Sequence, residues 1–445
     1  MPAAANDAHD KVRVLQRKLY RAAKQSRSRR FHALHDKVHR RDVLQRAFEV
    51  VARNKGAAGV DGQTIDEIRQ SGVDAFLSVL EVELREGRYW PLPVRRVAIP
   101  KASGGERMLG IPAVRDRVVQ AAARIVLEPI FEADFRDCSF GFRPRRSARH
   151  ARDRLRRHIQ RERRHVVVDA DIEGFFDNLD QRILMRQLRG RISDRRVLEL
   201  IERWLHAGVL ADGMLLHPET GTPQGGVISP LLANVYLDGL DRAFEERHAK
   251  LGRLVRYADD LVIVCWQPRQ ARKAHDALAR ELAALGLRLS PTKTRIVELE
   301  VGGEGFDFLG FHFRRVLSRT SGRPYIACWP SQKAMNAARQ RIRDLTPLRR
   351  LGLPAIMVVQ DINRFLRGWG AYFRDGNSTQ QFHALDRYVF WRLARFMTRK
   401  HRRKGTGRGA YELLDSHNRL GIYRLVGTVR YQPANTAGER CRRAV

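Results

Sequence analysis

Two adjacent aspartates inside an apolar stretch constrain this chain more than any other feature. The tetrapeptide Tyr257–Asp260 places Asp259 and Asp260 between two strand-like runs, residues 254–256 and 261–264. Such a hairpin holds two negative charges in one tight turn between apolar strands. Like charges at that distance repel, so the turn is costly unless a cation lies between them. The pattern therefore predicts a cation-binding β-hairpin.

A third carboxylate follows a second apolar strand. The run Val166–Val168 leads into Asp171, at the expected end of that strand. Three carboxylates on two strands can hold the pair of divalent ions that phosphodiester-forming enzymes use. We predict Asp171, Asp259 and Asp260 as catalytic residues and metal ligands, with the Ile172 carbonyl completing the shell of one ion. The predicted ions are two Mg²⁺, for which Mn²⁺ can substitute.

A solvated turn is the more common explanation for an Asp-Asp pair taken alone. Solvated turns do not usually interrupt an apolar run such as residues 261–266, and the flanks therefore favour the metal site.

The charge of the chain points to a polyanionic partner. The 445 residues are 43% hydrophobic, which excludes a disordered chain, and carry a net charge of +35. A surplus of that size must be neutralised, and nucleic acid is the expected partner. A basic ribosomal-type or membrane-surface protein would explain the charge but not the three aspartates.

The cysteines and apolar segments indicate a soluble intracellular protein. The four cysteines lack C-x-x-C spacing, which argues against a zinc site and for a reducing compartment; they are Cys138, Cys265, Cys328 and Cys441. Residues 220–237 are uncharged but contain Pro223 and Pro230, so no membrane span is expected. No signal peptide is evident, which predicts a cytoplasmic location, with association with the nucleoid as an alternative.

Two further segments have the residue types that bind a nucleotide. A polymerase that makes DNA needs a bulky group under the sugar of the incoming nucleotide, so that a 2′-hydroxyl is excluded. Of the two rings Phe175 and Phe176, we select Phe176 for this role. In isolation, such a pair is more often part of a core. Gln224 lies in the segment Pro223–Gly226, where glycines allow close backbone approach and the amide can bond a nucleotide. A loop that caps a buried helix is the alternative.

Lys101 and Arg107 flank a glycine turn between two strand-like runs. Their opposed positions suit a clamp on a triphosphate, with Arg107 able to bind bidentately. A solvated basic hairpin is the alternative in so basic a chain.

Together these motifs resemble the group II intron-encoded reverse transcriptase/maturase family. The resemblance covers about residues 11–425. It rests on motifs that occur in the family's order: residues 54–62, 100–112, 171–177, 222–226, 257–260, 286–294, 308–311 and 366–373.

The resemblance implies an α+β chain with the right-hand polymerase fold: fingers, palm and helical thumb, preceded by a helical extension. The domains expected from it are a basic N-terminal extension (1–85), fingers (86–165), a palm with the aspartates (166–315), a helical thumb or maturase domain X (316–400) and a basic tail (401–445). The tail holds a single cysteine, Cys441, and lacks the paired Cys ligands that accompany His in the family's endonuclease domain, so we expect no endonuclease and a primer from an existing DNA end.

The resemblance also implies RNA-templated DNA synthesis. It implies that Lys101 and Arg107 bind the triphosphate, that Gln224 binds the nucleotide and that Lys293 lies near the nucleotide. The implied partners are structured intron RNA, an RNA template with a DNA primer, deoxynucleoside triphosphates and a DNA target, with no membrane. The implied function is to copy the intron RNA into DNA and to bind it, which promotes splicing and mobility.

Two other functions stay open at the level of sequence. One is an intron-independent reverse transcriptase recruited to host DNA repair or defence, and the other is an RNA-binding maturase with an idle polymerase site. The intact aspartates argue against the idle site, and the aromatic pair after Asp171 argues against an enzyme that makes RNA.

Overall fold

The computed structural model describes residues 3–100, 106–211, 214–216, 225–401 and 421–430. Two compact units divide the chain. The first unit contains Met1–Ala151, Val168–Ile263 and Arg269–Arg295, and the second contains Arg152–Val167, Val264–Pro268 and Ile296–Val445.

The described residues form helices along most of the chain. In chain order these are α1 (Ala3–Gln25), α2 (His35–Val38), α3 (Arg41–Arg53), α4 (Ile65–Ser71), α5 (Val73–Glu86), α6 (Val114–Glu132), α7 (Ala148–Gln160), α8 (Gln181–Arg189), α9 (Arg195–Leu205), α10 (Ser229–Glu246), α11 (Pro268–Ala283), α12 (Gln332–Leu345), α13 (Ala355–Phe373) and α14 (Thr379–Lys400).

The strands lie in three sheets. They are β1 (Val94–Pro100), β2 (Glu106–Ile111), β3 (Val166–Asp171), β4 (Val209–Ala211), β5 (Met214–Leu216), β6 (Arg253–Tyr257), β7 (Asp260–Cys265), β8 (Arg295–Glu298), β9 (Phe306–Phe308), β10 (Phe311–Leu317) and β11 (Pro324–Pro330). The strand orders are β2-β1-β4-β5, β6-β7-β3-β8 and β11-β10-β9.

The predicted elements around the aspartates are confirmed. Strands β6 and β7 occupy the two runs on either side of the Asp-Asp pair, and β3 ends at Asp171. Strands β1 and β2 form the predicted antiparallel hairpin, in which Ile99 lies opposite Arg107. The mixture of helices and sheets agrees with the α+β class, whereas the division into fingers, palm and thumb stays a prediction.

Helix α6 forms the centre of the first unit's helical layer. It packs against α1 and α3. Most of its residues are buried around the whole circumference, including Val118, Ala122 and Leu127, as is typical of a helix enclosed by other elements. Helix α1 buries Val12, Leu15 and Leu19, which lie on one face of the helix.

Helix α12 of the second unit buries one apolar face. Met335, Ala338, Ile342 and Leu345 of α12 are all buried. In α13 the Trp369 ring lies 4.7 Å from that of Phe373 and 5.7 Å from that of Phe382 (centroid to centroid), so Trp369 packs within the unit. None of the helices formed by the described residues is long and apolar enough to cross a bilayer.

Candidate carboxylate site at the strand ends

The Asp-Asp turn joins two strands whose apolar side chains anchor it. Strand β6 ends at Tyr257 and β7 begins at Asp260, with Leu261–Cys265 entirely buried. Ala258, between them, has a φ of +58°, and a non-glycine residue in this region costs roughly 1–2 kcal/mol. The turn therefore keeps a strained backbone next to two charged side chains, a combination that clusters at functional sites.

Strand β3 brings Asp171 to the same sheet, next to β7. Residues 171–173 lie antiparallel to residues 288–290: Ser290 N donates to Asp171 O (2.8 Å) and Glu173 N donates to Arg288 O (3.0 Å). Backbone groups alternate in direction along an extended chain. The Ile172 carbonyl therefore points to the opposite edge, the side of β3 on which β7 lies.

Two cations pair with the acidic groups of β3. Lys293 Nζ lies 2.7 Å from Asp171 Oδ2, and Arg295 Nε lies 3.3 Å from Asp169 Oδ2. The hydrogen bond to Asp171 raises the pKa of the Lys293 ammonium, which therefore stays protonated. The sequence did not predict a direct pair between Lys293 and Asp171.

The carboxylates at the strand ends repel one another. Desolvation raises the pKa of Asp260 to about 6, and the charges of Asp259, Asp171 and Asp169 contribute to the same shift. An opposing effect comes from Lys293. The predicted aspartates are therefore close enough to act on one another electrostatically, although 88 residues of sequence separate Asp171 from Asp259.

The donor set suits a hard divalent ion. Carboxylate and carbonyl oxygens are the ligands that Mg²⁺ and Mn²⁺ take in proteins. Within the described residues, no group of three or more His, Cys, Asp or Glu side chains is arranged so that it could hold a metal ion. Lys293 occupies one oxygen of Asp171 instead.

A buried guanidinium lies behind the turn. The Arg256 side chain is fully buried and pairs with Asp241 of α10, itself fully buried. Burial lowers the pKa of Arg256, but the charge of Asp241, the hydrogen bond to it and the charges of nearby groups together raise that pKa. The sequence motifs do not single out Arg256. A charged residue between the apolar residues Val255 and Tyr257 was the available signal.

A second segment missed by the sequence analysis packs on the turn. A Cβ built on Gly141 would lie 2.5 Å from Ala258 N, so only glycine fits. The next residue, Phe142, has a φ of +57°, is exposed, and lies with its ring 6.5 Å from that of Tyr257. The spacing of Gly141 and Phe142 in the sequence gave no indication of this contact.

The two rings after Asp171 differ in environment. Phe175 is buried, and its ring centroid lies 6.3 Å from that of Tyr236 of α10. Phe176 is half-buried and meets Phe175 edge-on at 5.1 Å. Phe175 is thus a core residue, and Phe176 is the ring with an accessible face.

The segment of Gly225 meets the β1–β2 hairpin. Gly225 has a φ of +120°, and a Cβ on it would lie 2.0 Å from the Gly110 carbonyl oxygen of β2. Gln120 of α6 accepts a hydrogen bond from Val227 N at 2.8 Å and so holds the same segment. Lys101 and Gln224 lie outside the described residues, as does the side chain of Arg107. Their predicted contacts with a nucleotide stay predictions.

Comparison with protein families finds two matching domains. Residues 99–313 match the family described as "Reverse transcriptase (RNA-dependent DNA polymerase)". Residues 335–412 match the "Group II intron, maturase-specific domain". The first match contains all three predicted aspartates, and the second begins within α12 and includes α13 and α14.

Similar proteins match over different shares of their length. Protein YkfC of Escherichia coli K12 is 35% identical over 368 residues, which are 74% of this chain and 94% of that protein. The group II intron-encoded protein LtrA of Lactococcus lactis is 37% identical over 226 residues, 50% of this chain and 37% of LtrA. This chain thus spans little more than a third of LtrA.

A solved structure titled "Partial Cas6-RT-Cas1--Cas2 complex" is 26% identical and covers 56% of this chain and 41% of that one. Its TM-score of 0.35 is too low to carry an argument about the fold.

Proposed function

Because the chain belongs to the family of group II intron-encoded reverse transcriptases and maturases, we propose that it is an RNA-directed DNA polymerase whose reaction takes place at Asp171, Asp259 and Asp260. The observation that carries the proposal is that β3, which ends at Asp171, lies next to β7, which begins at Asp260, so that the like charges of the three carboxylates act on one another. Mutual repulsion of this kind is relieved by binding cations.

The three aspartates and the Ile172 carbonyl would hold two divalent ions. When bound, such ions activate the primer hydroxyl and stabilise the charge of the triphosphate during transfer. The protein's own contribution is to keep the oxygens of two sheet strands at fixed positions. The β-hairpin and β3 suit this task, because sites on strands are more precise than sites on loops.

Lys293 is the residue that we expect to change partner. Its side chain is two-thirds exposed and its ammonium is held by Asp171 alone among the contacts described above. An arriving triphosphate offers stronger oxygen acceptors than one carboxylate. Lys293 would then pass from Asp171 to a phosphate, which frees Asp171 for a cation and places Lys293 next to the nucleotide.

The direct test is extension of a DNA primer on an RNA template with deoxynucleoside triphosphates and Mg²⁺. Purified protein should extend the primer, and a chelator should stop the reaction. Absence of extension under conditions that retain RNA binding would contradict the polymerase assignment.

We further propose that structured intron RNA is the partner of the maturase-specific region. The match over residues 335–412 favours an intron role over a general repair or defence role. The exposed arginines of α14 supply positive charge there; they are Arg387, Arg395 and Arg399.

Sugar selectivity is expected to depend on Phe176. Replacing Phe176 by alanine removes the ring that excludes a 2′-hydroxyl, and should increase ribonucleotide incorporation relative to deoxynucleotide by about 10- to 100-fold. The measurement is the ratio of kcat/KM for a ribonucleotide and the matching deoxynucleotide. As the control, Phe175→Leu alters the buried ring and should lower Tm while leaving sugar choice unchanged. If selectivity is lost only in the Phe175 variant, then Phe175 excludes the 2′-hydroxyl and the assignment to Phe176 is wrong.

Gly225 is expected to tolerate no side chain. In Gly225→Ala the new Cβ must move away from the Gly110 carbonyl oxygen, which shifts the predicted nucleotide-binding segment. A displacement of about 1 Å can cost on the order of 10²-fold in rate. Gly239→Ala in α10 is the matched control, because nothing lies within 4 Å of its Cβ. It should keep full extension activity and gain about 0.5–1 kcal/mol of stability. If Gly225→Ala and Gly239→Ala extended the primer equally well, the close approach of Gly225 to the Gly110 carbonyl oxygen would be refuted.

A further inference from the structure

The Arg256 guanidinium donates hydrogen bonds to three residues. Nε lies 2.7 Å from Asp241 Oδ1, and Nη2 bonds the other oxygen of the same carboxylate. The remaining nitrogen, Nη1, donates to Asn234 Oδ1 (3.0 Å) and to the Ala258 carbonyl oxygen (3.1 Å). Asp241 and Asn234 both belong to α10, so Arg256 connects that helix to the turn.

Asn234 also bonds the segment that packs against the turn. Its Nδ2 donates to the Gly141 carbonyl oxygen at 2.9 Å. Gly141 in turn lies against Ala258 N, close enough to exclude a Cβ. The backbone before Gly141 is also fixed to β6: Phe140 N donates to Arg256 O (2.9 Å), and Arg256 N donates to Cys138 O (2.8 Å).

We propose that Arg256 and Asn234 are positioning residues that hold the Ala258 peptide, and through it Asp259, at the geometry needed for cation binding. The proposal rests on the assignment of Asp259 as a metal ligand above. Ala258 immediately precedes Asp259 and has a φ of +58°, a conformation that persists only where the surroundings impose it. The hydrogen bond to its carbonyl and the contact on its amide supply that constraint from opposite sides.

A purely stabilising role would not require this geometry. Buried ion pairs are weak support for stability, because desolvation offsets much of their attraction. Nε and Nη2 of Arg256 are enough to form the ion pair with Asp241. Nη1 is not needed for that pair and bonds the Ala258 carbonyl oxygen in the turn. A lysine could keep the pair with Asp241 but could not form the fork that also reaches Ala258.

The test uses the variants Arg256→Lys and Asn234→Ala in the full chain. Each should lower the single-turnover rate of nucleotide addition about 10- to 100-fold, the usual effect of losing a residue that orients a metal ligand. The affinity for the incoming nucleotide should stay nearly unchanged, because both side chains are buried. Half-maximal rate should require more Mg²⁺ than in the unaltered protein.

Arg191→Lys is the matched control. Arg191 is another buried arginine paired with an aspartate of the same unit: its Nε lies 2.8 Å from Asp134 Oδ2. Its other nitrogens bond backbone carbonyls rather than the turn, those of Ala23, Ser26, Arg27 and Arg29. It should lower Tm to a similar degree while keeping the rate of the folded protein.

Amide hydrogen exchange supplies a measurement independent of activity. In Asn234→Ala, which keeps the ion pair, exchange should accelerate in the peptide that contains Tyr257–Leu261 and remain unchanged in α1 and α3. Unchanged exchange in this peptide, or a rate no lower than that of the Arg191→Lys control, would overturn the proposal. If the unaltered protein extends no primer, the proposed polymerase function fails, whereas the exchange result still decides whether Asn234 holds the turn.

Discussion

Asp259→Asn is expected to slow primer extension on an RNA template by on the order of 10³-fold. The reason is that a bound cation stabilises the transition state of nucleotide transfer by several kcal/mol. The amide has nearly the shape of the carboxylate but lacks its charge, so the β6–β7 hairpin should fold as before. Binding of RNA should persist, since the basic surfaces are unaltered. The measurement pairs single-turnover extension with an RNA-binding titration at one salt concentration.

Asp169→Asn is the control for this experiment. Asp169 lies on the same strand as Asp171 and pairs with the partly exposed Arg295. A pair of that kind contributes about 1 kcal/mol or less to folding stability, so the variant should fold. Because Asp169 is not proposed as a metal ligand, the rate of Asp169→Asn should fall far less than that of Asp259→Asn. Extension by Asp259→Asn at the rate of Asp169→Asn would refute the assignment of Asp259 as a metal ligand.

The elements of the site could be predicted because each is specified locally. Strand β7 is a continuous run of buried residues, Leu261–Cys265, and a run of this length reads as a strand from its composition alone. Asp171 follows a similar run in β3. The hairpin and the strand end were therefore evident from neighbouring residues.

The contacts that arrange the site could not be predicted in the same way. Arg256 bonds Asn234, which is 22 residues away, and Lys293 bonds Asp171, which is 122 residues away. No local periodicity encodes such pairs, because they depend on how distant elements pack. For the same reason a sequence shows that Gly225 is a glycine but not that the Gly110 carbonyl occupies the space of its Cβ.

The second large effect concerns RNA binding, which should weaken steeply with salt. The net charge is +35, and α1 and α14 each present a row of exposed basic side chains, such as Arg13 and Arg17 in α1 and Arg395 and Arg399 in α14. Each phosphate contact releases bound counterions. With about six contacts, affinity should fall on the order of 10³-fold between 50 and 200 mM salt. Arg395→Gln combined with Arg399→Gln should reduce the slope of log affinity against log salt by about 2.

Charge alone cannot select one RNA, because phosphate contacts carry no sequence information. If the maturase-specific region binds a parent intron, selectivity must come from the shape of the folded RNA. Competition of parent intron RNA against an unrelated structured RNA of equal length, at fixed salt, measures that selectivity directly. The double arginine variant should weaken both RNAs to a similar degree and preserve their ratio. Equal affinity of the unaltered protein for the two RNAs would contradict the intron partner, and it would leave the polymerase assignment to be decided by the Asp259 experiment.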